Sequence, residues 1–257
     1  MGDDRAKRRK EEIATLQLGL DLGASLIDTA EMYGHGAAEE LIGEAISGRR
    51  NEAFLVSKVL PQNASHKGVV AACHRSLKRL KTDVIDLYLL HWPGNFPLTE
   101  TVAGFVELRE AGKIRQYGVS NFDLSEMQNL WKVPGGSAVA TNQVLYNLSR
   151  RSIEWDLLPW LREWKIPVMA YSPLEQARLL ANKQAVAFAR RSGMSPAQFT
   201  LAWLLSKDDV IVIPKTSSPD RLRENLKSLE QRLSTEQLAE LDQLFPSPEG
   251  PGALDML

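Results

Sequence analysis

Short apolar runs rich in β-branched residues alternate along the chain with segments whose apolar residues recur at helical spacing. In residues 67–81, for example, Val69, Cys73, Leu77 and Leu80 share one face of a helix. Seven runs have the length and composition of strands: residues 25–30, 54–60, 85–91, 114–120, 139–144, 166–171 and 210–214. Repeated strand–helix units with nearly continuous apolar strands predict an α/β fold in which helices cover a parallel sheet.

A sheet of this kind is either doubly wound or closed as a (β/α)8 barrel. Polar residues occupy or directly follow the carboxyl end of every predicted strand: Asp28, Lys58, His91, Asn121, Gln143, Ser172 and Lys215. A doubly wound sheet concentrates its chemistry at one switch point, whereas a barrel draws functional residues from many strand ends onto one face. We therefore predict a TIM barrel that occupies residues 1–257 as a single domain, a length typical of such barrels.

The strand count, however, is one short of eight. The first helical segment, residues 5–22, carries Ile13, Leu16 and Leu20 on one face and ends at Gly23, and no strand precedes it. Eight strands remove the sheet edges of such a barrel, whereas seven leave two strands with unpaired backbone groups. We therefore expect the first barrel strand to be missing from this chain.

Composition limits the classes of partner. The 31 basic and 32 acidic residues give a net charge of -1, which offers no general attraction for nucleic acid. The single cysteine, Cys73, excludes an internal disulfide and lies on an apolar helix face, which predicts a small core residue. The charged first residues and the lack of a membrane-length apolar run predict a cytoplasmic protein, and we expect a monomer. His35, His66 and His74 lack metal-ligand spacing, so we predict no metal site.

Three consecutive strand ends and the loops after them bring together four distinctive side chains, those of Asp28, Tyr33, Lys58 and His91. Neighbouring strands are about 4.8 Å apart, so the ammonium of Lys58, on the middle strand, can reach both flanking loops. Asp28 is its expected carboxylate partner. A cation beside Tyr33 favours release of the phenolic proton, which would make Tyr33 a general acid. A neutral His91 would then polarise a substrate carbonyl oxygen while hydride reaches the carbon.

Each of the four residues also has a structural interpretation: Asp28 as a cap, Tyr33 as a loop aromatic, Lys58 as a snorkelling barrel residue and His91 as a core histidine. For any one residue the structural interpretation is the more common one. The joint placement favours function, because a buried lysine at a strand end needs a partner.

These residues lie in motifs that resemble the aldo-keto reductase family. Residues 26–34, Leu-Ile-Asp-Thr-Ala-Glu-Met-Tyr-Gly, are similar to its first signature. Six further motifs follow in the family's order: residues 56–58 (Val-Ser-Lys), 86–93 (Asp-Leu-Tyr-Leu-Leu-His-Trp-Pro), 118–122 (Gly-Val-Ser-Asn-Phe), 141–143 (Thr-Asn-Gln), 171–174 (Tyr-Ser-Pro-Leu) and 213–215 (Ile-Pro-Lys). The resemblance extends over about residues 8–245.

The resemblance implies a catalytic tetrad of Asp28, Tyr33, Lys58 and His91 and NADPH extended across the mouth of the barrel. The expected reaction is reduction of aldehydes and ketones to alcohols. Residues 1–4 are similar to the loop that follows the family's first barrel strand, so the hairpin and that strand are the expected missing piece. Two other functions stay open: an NADP(H)-binding barrel with little turnover because it is truncated, and, less favoured, a Schiff-base aldolase that uses Lys58.

Further residues suit a nicotinamide cofactor. Tyr171 offers a ring for stacking, and Ser120, Asn121 and Gln143 offer donors and acceptors for the carboxamide. A phosphate site at a helix start is predicted from Lys215, Thr216, Ser217 and Arg221; the alternative is a basic face on a surface helix. The resemblance adds Ser172, Leu174, Arg221, Glu224 and Asn225 to the cofactor residues and favours NADPH over NADH.

The substrate pocket is expected to contain Trp92, Phe96 and Phe122, with core packing as an equal alternative for Phe122. The tail after Phe245 is short and rich in Pro and Gly. By the resemblance, a short tail is typical of permissive enzymes, so we expect small aldehydes or dicarbonyls as substrates. The partial glycine motif Gly34-His35-Gly36 lacks the third glycine of a dinucleotide fingerprint and is interpreted as a turn.

Overall fold

The computed structural model describes residues 6–257, in which seven strands and eleven α-helices alternate. The strands are β1 (Leu26–Asp28), β2 (Phe54–Val59), β3 (Ile85–Leu90), β4 (Ile114–Ser120), β5 (Asn142–Leu145), β6 (Val168–Tyr171) and β7 (Val210–Val212). The helices are α1 (Ala6–Asp21), α2 (Ala37–Ala45), α3 (His66–Leu80), α4 (Leu98–Glu110), α5 (Leu124–Trp131), α6 (Leu157–Glu163), α7 (Arg178–Ala181), α8 (Lys183–Ser192), α9 (Pro196–Leu205), α10 (Pro219–Lys227) and α11 (Thr235–Leu244).

The chain divides into two compact units. The first contains the chain up to Thr141 together with Ser217–Pro219, and the second contains Asn142–Thr216 and Asp220–Leu257. In the first unit, β1 to β4 lie in chain order and the neighbours β1–β2, β2–β3 and β3–β4 are parallel. In the second, β5, β6 and β7 are also parallel neighbours in chain order. Neither unit has the order reversal of a doubly wound sheet, and the predicted (β/α)8 fold class with seven strands is confirmed.

The first unit has a continuous apolar core, and charged groups inside it are paired. All six residues of β3 are buried, including Asp86, whose Oδ2 accepts hydrogen bonds from the Leu55 N–H (2.8 Å) and from Arg50 (2.7 Å). Cys73 on α3 is fully buried, which confirms its prediction as a core residue. Burial raises the pKa of its thiol to about 12, so this cysteine is unreactive at neutral pH.

Six of the seven strands are shorter than predicted, and only β4 has the predicted bounds. The run at residues 139–144 becomes regular only at Asn142, because a left-handed Gly135 (φ 83°) and a 3-10 turn at Gly136–Ala138 precede it. The run at residues 210–214 stops at Val212; a proline follows at 214, and proline has no N–H for a ladder bond. The first helix begins at Ala6 and ends at Asp21 within the described residues, while residue 5 of the prediction lies outside them.

Within the second unit, hydrogen bonds and ion pairs hold the C-terminal segment in place. Arg151, which is buried, donates to the Phe245 carbonyl oxygen (2.5 Å) and pairs with Asp242 (2.8 Å). Further along, Asp255 pairs with Arg150 at 3.3 Å. These contacts fasten the Pro- and Gly-rich tail to the loops after β5. Among the residues described, no helix combines the length and the apolar character needed to cross a membrane.

Candidate active site

Lys58 is the centre of the candidate site in the first unit. Its side chain on β2 has no solvent exposure. The Nζ atom donates to Asp28 Oδ2 (2.7 Å) and to the main-chain oxygen of Thr29 (2.9 Å), and lies 3.4 Å from the Tyr33 hydroxyl oxygen. The parallel pairing of β1 with β2 brings the ends of the two strands together, so the predicted Lys58–Asp28 pair is present.

A tight turn directs Tyr33 toward Lys58. Residues Tyr33–Gly36 form a 3-10 turn in which Gly34, His35 and Gly36 all have left-handed backbone angles (φ 57°, 53° and 95°). The chain therefore reverses within four residues, and the Tyr33 ring centroid lies 5.0 Å from the Lys58 Nζ atom. The interpretation of this glycine motif as a turn, and not as a phosphate-binding loop, agrees with this geometry.

His91 completes the cluster directly after β3. Its ring packs edge-on to Tyr33, with centroids 5.7 Å apart and an interplanar angle of 80°. Burial, with a smaller contribution from the positive charge of Lys58, lowers the pKa of His91 to about 3. The imidazole is therefore neutral at physiological pH, as predicted. Its Nδ1 atom is buried and has no hydrogen-bond partner among the described residues.

Two buried carboxylates form hydrogen bonds with residues around the site. Neither of them was predicted from the sequence. Glu39 on α2 is fully buried and accepts hydrogen bonds from Ser57 Oγ and from Arg79 Nε, both at 2.6 Å. Glu31 accepts from the Leu60 N–H at 2.8 Å and so joins the loop after β1 to the loop after β2. For Glu39 a signal exists in the sequence, because the glutamate lies among the apolar residues Ala38, Leu41 and Ile42, but that pattern does not identify its partners.

Ser120 and Asn121, two of the predicted cofactor residues, follow one another at the end of β4. Both are buried, and Asn121 has a left-handed backbone (φ 58°), which is uncommon outside glycine. The Asn121 amide donates to the main-chain oxygen of His91 (3.1 Å) and to Ser120 Oγ (3.2 Å). These contacts fix two polar side chains beside the strand end that carries His91.

Four of the predicted cofactor residues of the second unit lie within β5 and at or after the end of β6. Gln143 on β5 is buried, whereas Tyr171, Ser172 and Leu174 at the end of β6 are half-buried. Ser172 has a left-handed backbone (φ 48°), and its carbonyl oxygen accepts from the Asn147 amide at 3.0 Å. Such backbone conformations are held only where surrounding contacts determine them.

The predicted phosphate residues lie close in sequence to the start of α10, with Arg221 in its first turn. Lys215, Ser217 and Arg221 are exposed, and Thr216 is half-buried. The Ser217 carbonyl oxygen accepts from Thr15 Oγ1 at 3.0 Å, which ties this segment to α1. Glu224 and Asn225 are half-buried in the middle of α10.

The three predicted pocket residues differ in environment. Trp92 is half-buried with its ring 4.8 Å from that of His91, and Phe96 is 38% exposed. Phe122 has no solvent exposure, which favours the alternative of core packing for this residue. No group of three or more potential metal ligands occurs within the described part of the chain.

The cluster combines a phenol that can donate a proton with a neutral imidazole that can polarise a nearby oxygen. A phenol next to a buried ammonium is a proton donor, and a neutral imidazole beside it can hydrogen-bond an oxygen on which negative charge develops. Asp28 and Lys58 lie on strands, His91 directly follows β3, and Tyr33 lies in the 3-10 turn after β1. The fold itself therefore holds the four residues in this arrangement.

Comparisons with known proteins agree with this geometry. The chain is 51% identical to methylglyoxal reductase YeaE of Escherichia coli over 262 aligned positions, which cover 100% of this chain and 92% of that protein. It is 33% identical to the glyoxal reductase of Bacillus subtilis over 95% of this chain and 87% of that one. A crystal structure of an aldo-keto reductase from Klebsiella pneumoniae in complex with NADPH superposes with a TM-score of 0.97 at 46% identity, covering 100% of this chain and 92% of that one.

A model of the aldo/keto reductase family matches residues 1–245 of the 257 in the chain. This match includes every motif on which the resemblance rested. The chain therefore belongs to the aldo/keto reductase family.

Proposed function

We propose that this protein reduces aldehydes and ketones to alcohols with NADPH, and that Tyr33 donates the proton. The single observation that carries the proposal is the fully buried Lys58 ammonium, 2.7 Å from Asp28 Oδ2 and 3.4 Å from the Tyr33 hydroxyl oxygen. A buried charge of this kind is costly unless it is paired. Packing of the strand end does not require an ammonium group. The contact of this ammonium with the phenol of Tyr33 therefore favours a role in proton transfer.

The three N–H groups of Lys58 have different partners. Two donate to Asp28 and to the Thr29 carbonyl, and the third faces the Tyr33 oxygen. The Tyr33 proton must then point away from Lys58, toward a bound substrate. As that proton leaves, the ammonium stabilises the tyrosinate, while neutral His91 hydrogen-bonds the substrate oxygen. The ion pair with Asp28 also opposes an aldolase role, since a protonated amine is not a nucleophile.

The residues present fit a phosphorylated nicotinamide cofactor. Exposed cations, Lys215 and Arg221, and the hydroxyls of Thr216 and Ser217 lie close in sequence to a helix start, where backbone N–H groups favour a phosphate. Ser120, Asn121 and Gln143 are buried polar side chains suited to a carboxamide. Tyr171 offers a ring on which the nicotinamide can stack, and the resemblance assigns Ser172, Leu174, Glu224 and Asn225 to the same cofactor. When bound, NADPH supplies the hydride.

Small aldehydes and dicarbonyls are the proposed substrates. Two relatives are named methylglyoxal reductase and glyoxal reductase, and both names denote reduction of small dicarbonyls. Half-buried Trp92, whose ring packs beside His91, and exposed Phe96 in the same loop after β3 provide apolar surface. These relatives support turnover and give no support to the alternative of a binding barrel without catalysis. A cytoplasmic, monomeric enzyme remains part of this proposal.

The test compares two substitutions that each remove one hydroxyl group. Tyr33→Phe is expected to abolish NADPH oxidation with methylglyoxal, followed at 340 nm, while NADPH binding measured by fluorescence is retained. Tyr88→Phe is the control, because Tyr88 is fully buried on β3 with its ring packed against Phe105. Retained turnover in Tyr33→Phe would refute the role of Tyr33, and wild-type protein that binds but never oxidises NADPH would refute the proposed function.

A further inference from the structure

A second concave site lies in the first unit, at the end where strands begin. It has a volume of about 360 Å³ and is formed by the last turns of α3, the residues that follow it, and the start of β4. We call it the basic cavity. Its lining includes His74, Leu77, Lys78, Lys81, Asp83 and Lys113. The candidate active site is built instead at the opposite, carboxyl ends of the same strands.

The cations of the basic cavity are unmatched. Three lysines face one carboxylate, that of Asp83, and none of the three forms an ion pair with any residue in the described range. Arginines of the same unit behave differently: Arg50 and Arg115 both pair with Asp86, at 2.7 and 3.0 Å. Lys81 also acts on Glu44, whose pKa it helps to lower, but the cavity lining itself holds three lysines and one carboxylate, and so is locally positive in a chain of net charge -1.

The dipole of α3 explains only part of this arrangement. Lys78 lies in the last turn of α3 and Lys81 caps it, where cations interact favourably with the helix dipole. Lys113 belongs to a different segment, the connection from α4 to β4. Its N–H donates to the Leu108 oxygen (2.8 Å) and its carbonyl accepts from the Ile85 N–H (3.0 Å), so the fold fixes its position beside the cavity.

We propose that the basic cavity binds a small phosphorylated organic anion. Lysine ammonium groups are compact charges suited to the oxygens of a phosphate. The volume lies near the lower end of ligand sites, roughly 300–1,000 Å³, which is larger than an inorganic anion requires. Leu77 offers an apolar wall and Asp83 an acceptor for ligand hydroxyl groups. Nucleotides and sugar phosphates share this chemistry. The proposal does not depend on the proposed reductase activity.

The experiment uses ¹⁵N-labelled full chain with saturating NADP⁺, which occupies the proposed cofactor site. Inorganic pyrophosphate, ribose 5-phosphate and ADP are titrated separately and followed by NMR and calorimetry. Backbone shifts are expected at residues 81–83 and 112–113, with an organic phosphate binding more tightly than pyrophosphate. Whichever of ADP and ribose 5-phosphate binds more tightly identifies the source of the ligand.

Lys113→Gln is expected to weaken that binding by about tenfold, which is the loss of one charge-assisted hydrogen bond. Lys132→Gln is the matched control, because Lys132 is exposed and caps the C-terminus of α5 outside the cavity. It should leave the affinity unchanged. Equal weakening in both variants, or no localised shifts at millimolar ligand, would overturn the site. Pyrophosphate binding as tightly as both organic phosphates would overturn the assignment of an organic ligand.

Discussion

The neutral state of His91 makes a quantitative prediction about stability against pH. Burial, and secondarily Lys58, lower its pKa from 6.5 to about 3 in the folded chain. Exposure on unfolding restores the ordinary value. Between these two pH values the unfolded chain binds a proton at His91 that the folded chain does not bind. Stability is therefore lost as the pH falls through 6.5 toward 3, and no loss from this group occurs above pH 7.

The size of the effect follows from linkage. Each pH unit inside this window changes the free energy of unfolding by about 1.4 kcal/mol, so at pH 5 His91 lowers stability by about 2 kcal/mol relative to pH 8. Other groups also titrate in this range, and the wild-type curve alone does not separate them. His91→Gln removes this ionisation and keeps a polar side chain of similar size. The substitution also changes the free energy of unfolding by an amount that does not depend on pH. This amount is the same at every pH, so it does not affect how the difference between the two proteins changes with pH.

The assay is urea unfolding of wild type and His91→Gln at pH 8, 7, 6 and 5. At pH 5 the stability difference between the two proteins should have moved by about 2 kcal/mol in favour of the variant, compared with pH 8. His74→Gln is the control, because it removes an exposed imidazole. Its stability is measured at the same pH values. Parallel curves for wild type and His91→Gln would refute the reasoning, because they would mean that His91 ionises alike in both states.

Three further predictions concern charged contacts. Lys58→Met and Asp28→Asn should each lower the free energy of unfolding by about 2–3 kcal/mol, and their double variant should fall short of additivity by about 1–3 kcal/mol in urea unfolding; strict additivity would contradict the pair. Glu39→Leu, which strands the Arg79 guanidinium, should cost about 3 kcal/mol and lower the melting temperature by about 6–12 °C, whereas an unchanged melt would show that the pair is dispensable. Lys215→Met should weaken NADPH binding about tenfold in fluorescence titrations while leaving NADH binding unchanged, and equal weakening of both would remove Lys215 from the phosphate site.

The strands and the four-residue cluster could be predicted from the sequence because both depend on simple periodicity. Parallel strands present their carboxyl ends at one edge, so polar residues that end consecutive apolar runs must meet there. That reasoning placed Lys58 beside Asp28, and the two atoms are 2.7 Å apart. The structure agrees with the neutral His91 expected there, because burial and, to a smaller extent, Lys58 lower the pKa of its imidazole to about 3.

Contacts made by the main chain could not be predicted. The Thr29 carbonyl oxygen accepts a hydrogen bond from Lys58 at 2.9 Å. Every residue has a main-chain carbonyl, so the sequence does not show which one makes this contact. The partners of Glu39 are equally hidden, since Ser57 and Arg79 are 18 and 40 positions away. A pattern of apolar residues shows that a glutamate lies on a buried face, but not which donor it meets there.

The backbone conformation beyond a strand end could not be predicted either. Strand β4 ends at Ser120 as predicted, but Asn121, which follows it, has a left-handed conformation with φ 58°. Asparagine tolerates this conformation better than most residues, but the preference is weak and does not identify a position. The hydrogen bond from its amide to the His91 carbonyl oxygen forms only once the strands have assembled, whereas the bond to Ser120 joins sequence neighbours.

Lys58 connects the groups of the candidate site. Burial is the larger cause of the low pKa of His91, and the charge of the Lys58 ammonium adds to it. The same ammonium lies 3.4 Å from the Tyr33 hydroxyl oxygen. Asp28 and the Thr29 carbonyl keep that ammonium in place. The parallel pairing of β1 with β2 therefore positions Lys58, and Lys58 in turn contacts Tyr33 and acts on His91, the two groups proposed to contact the substrate.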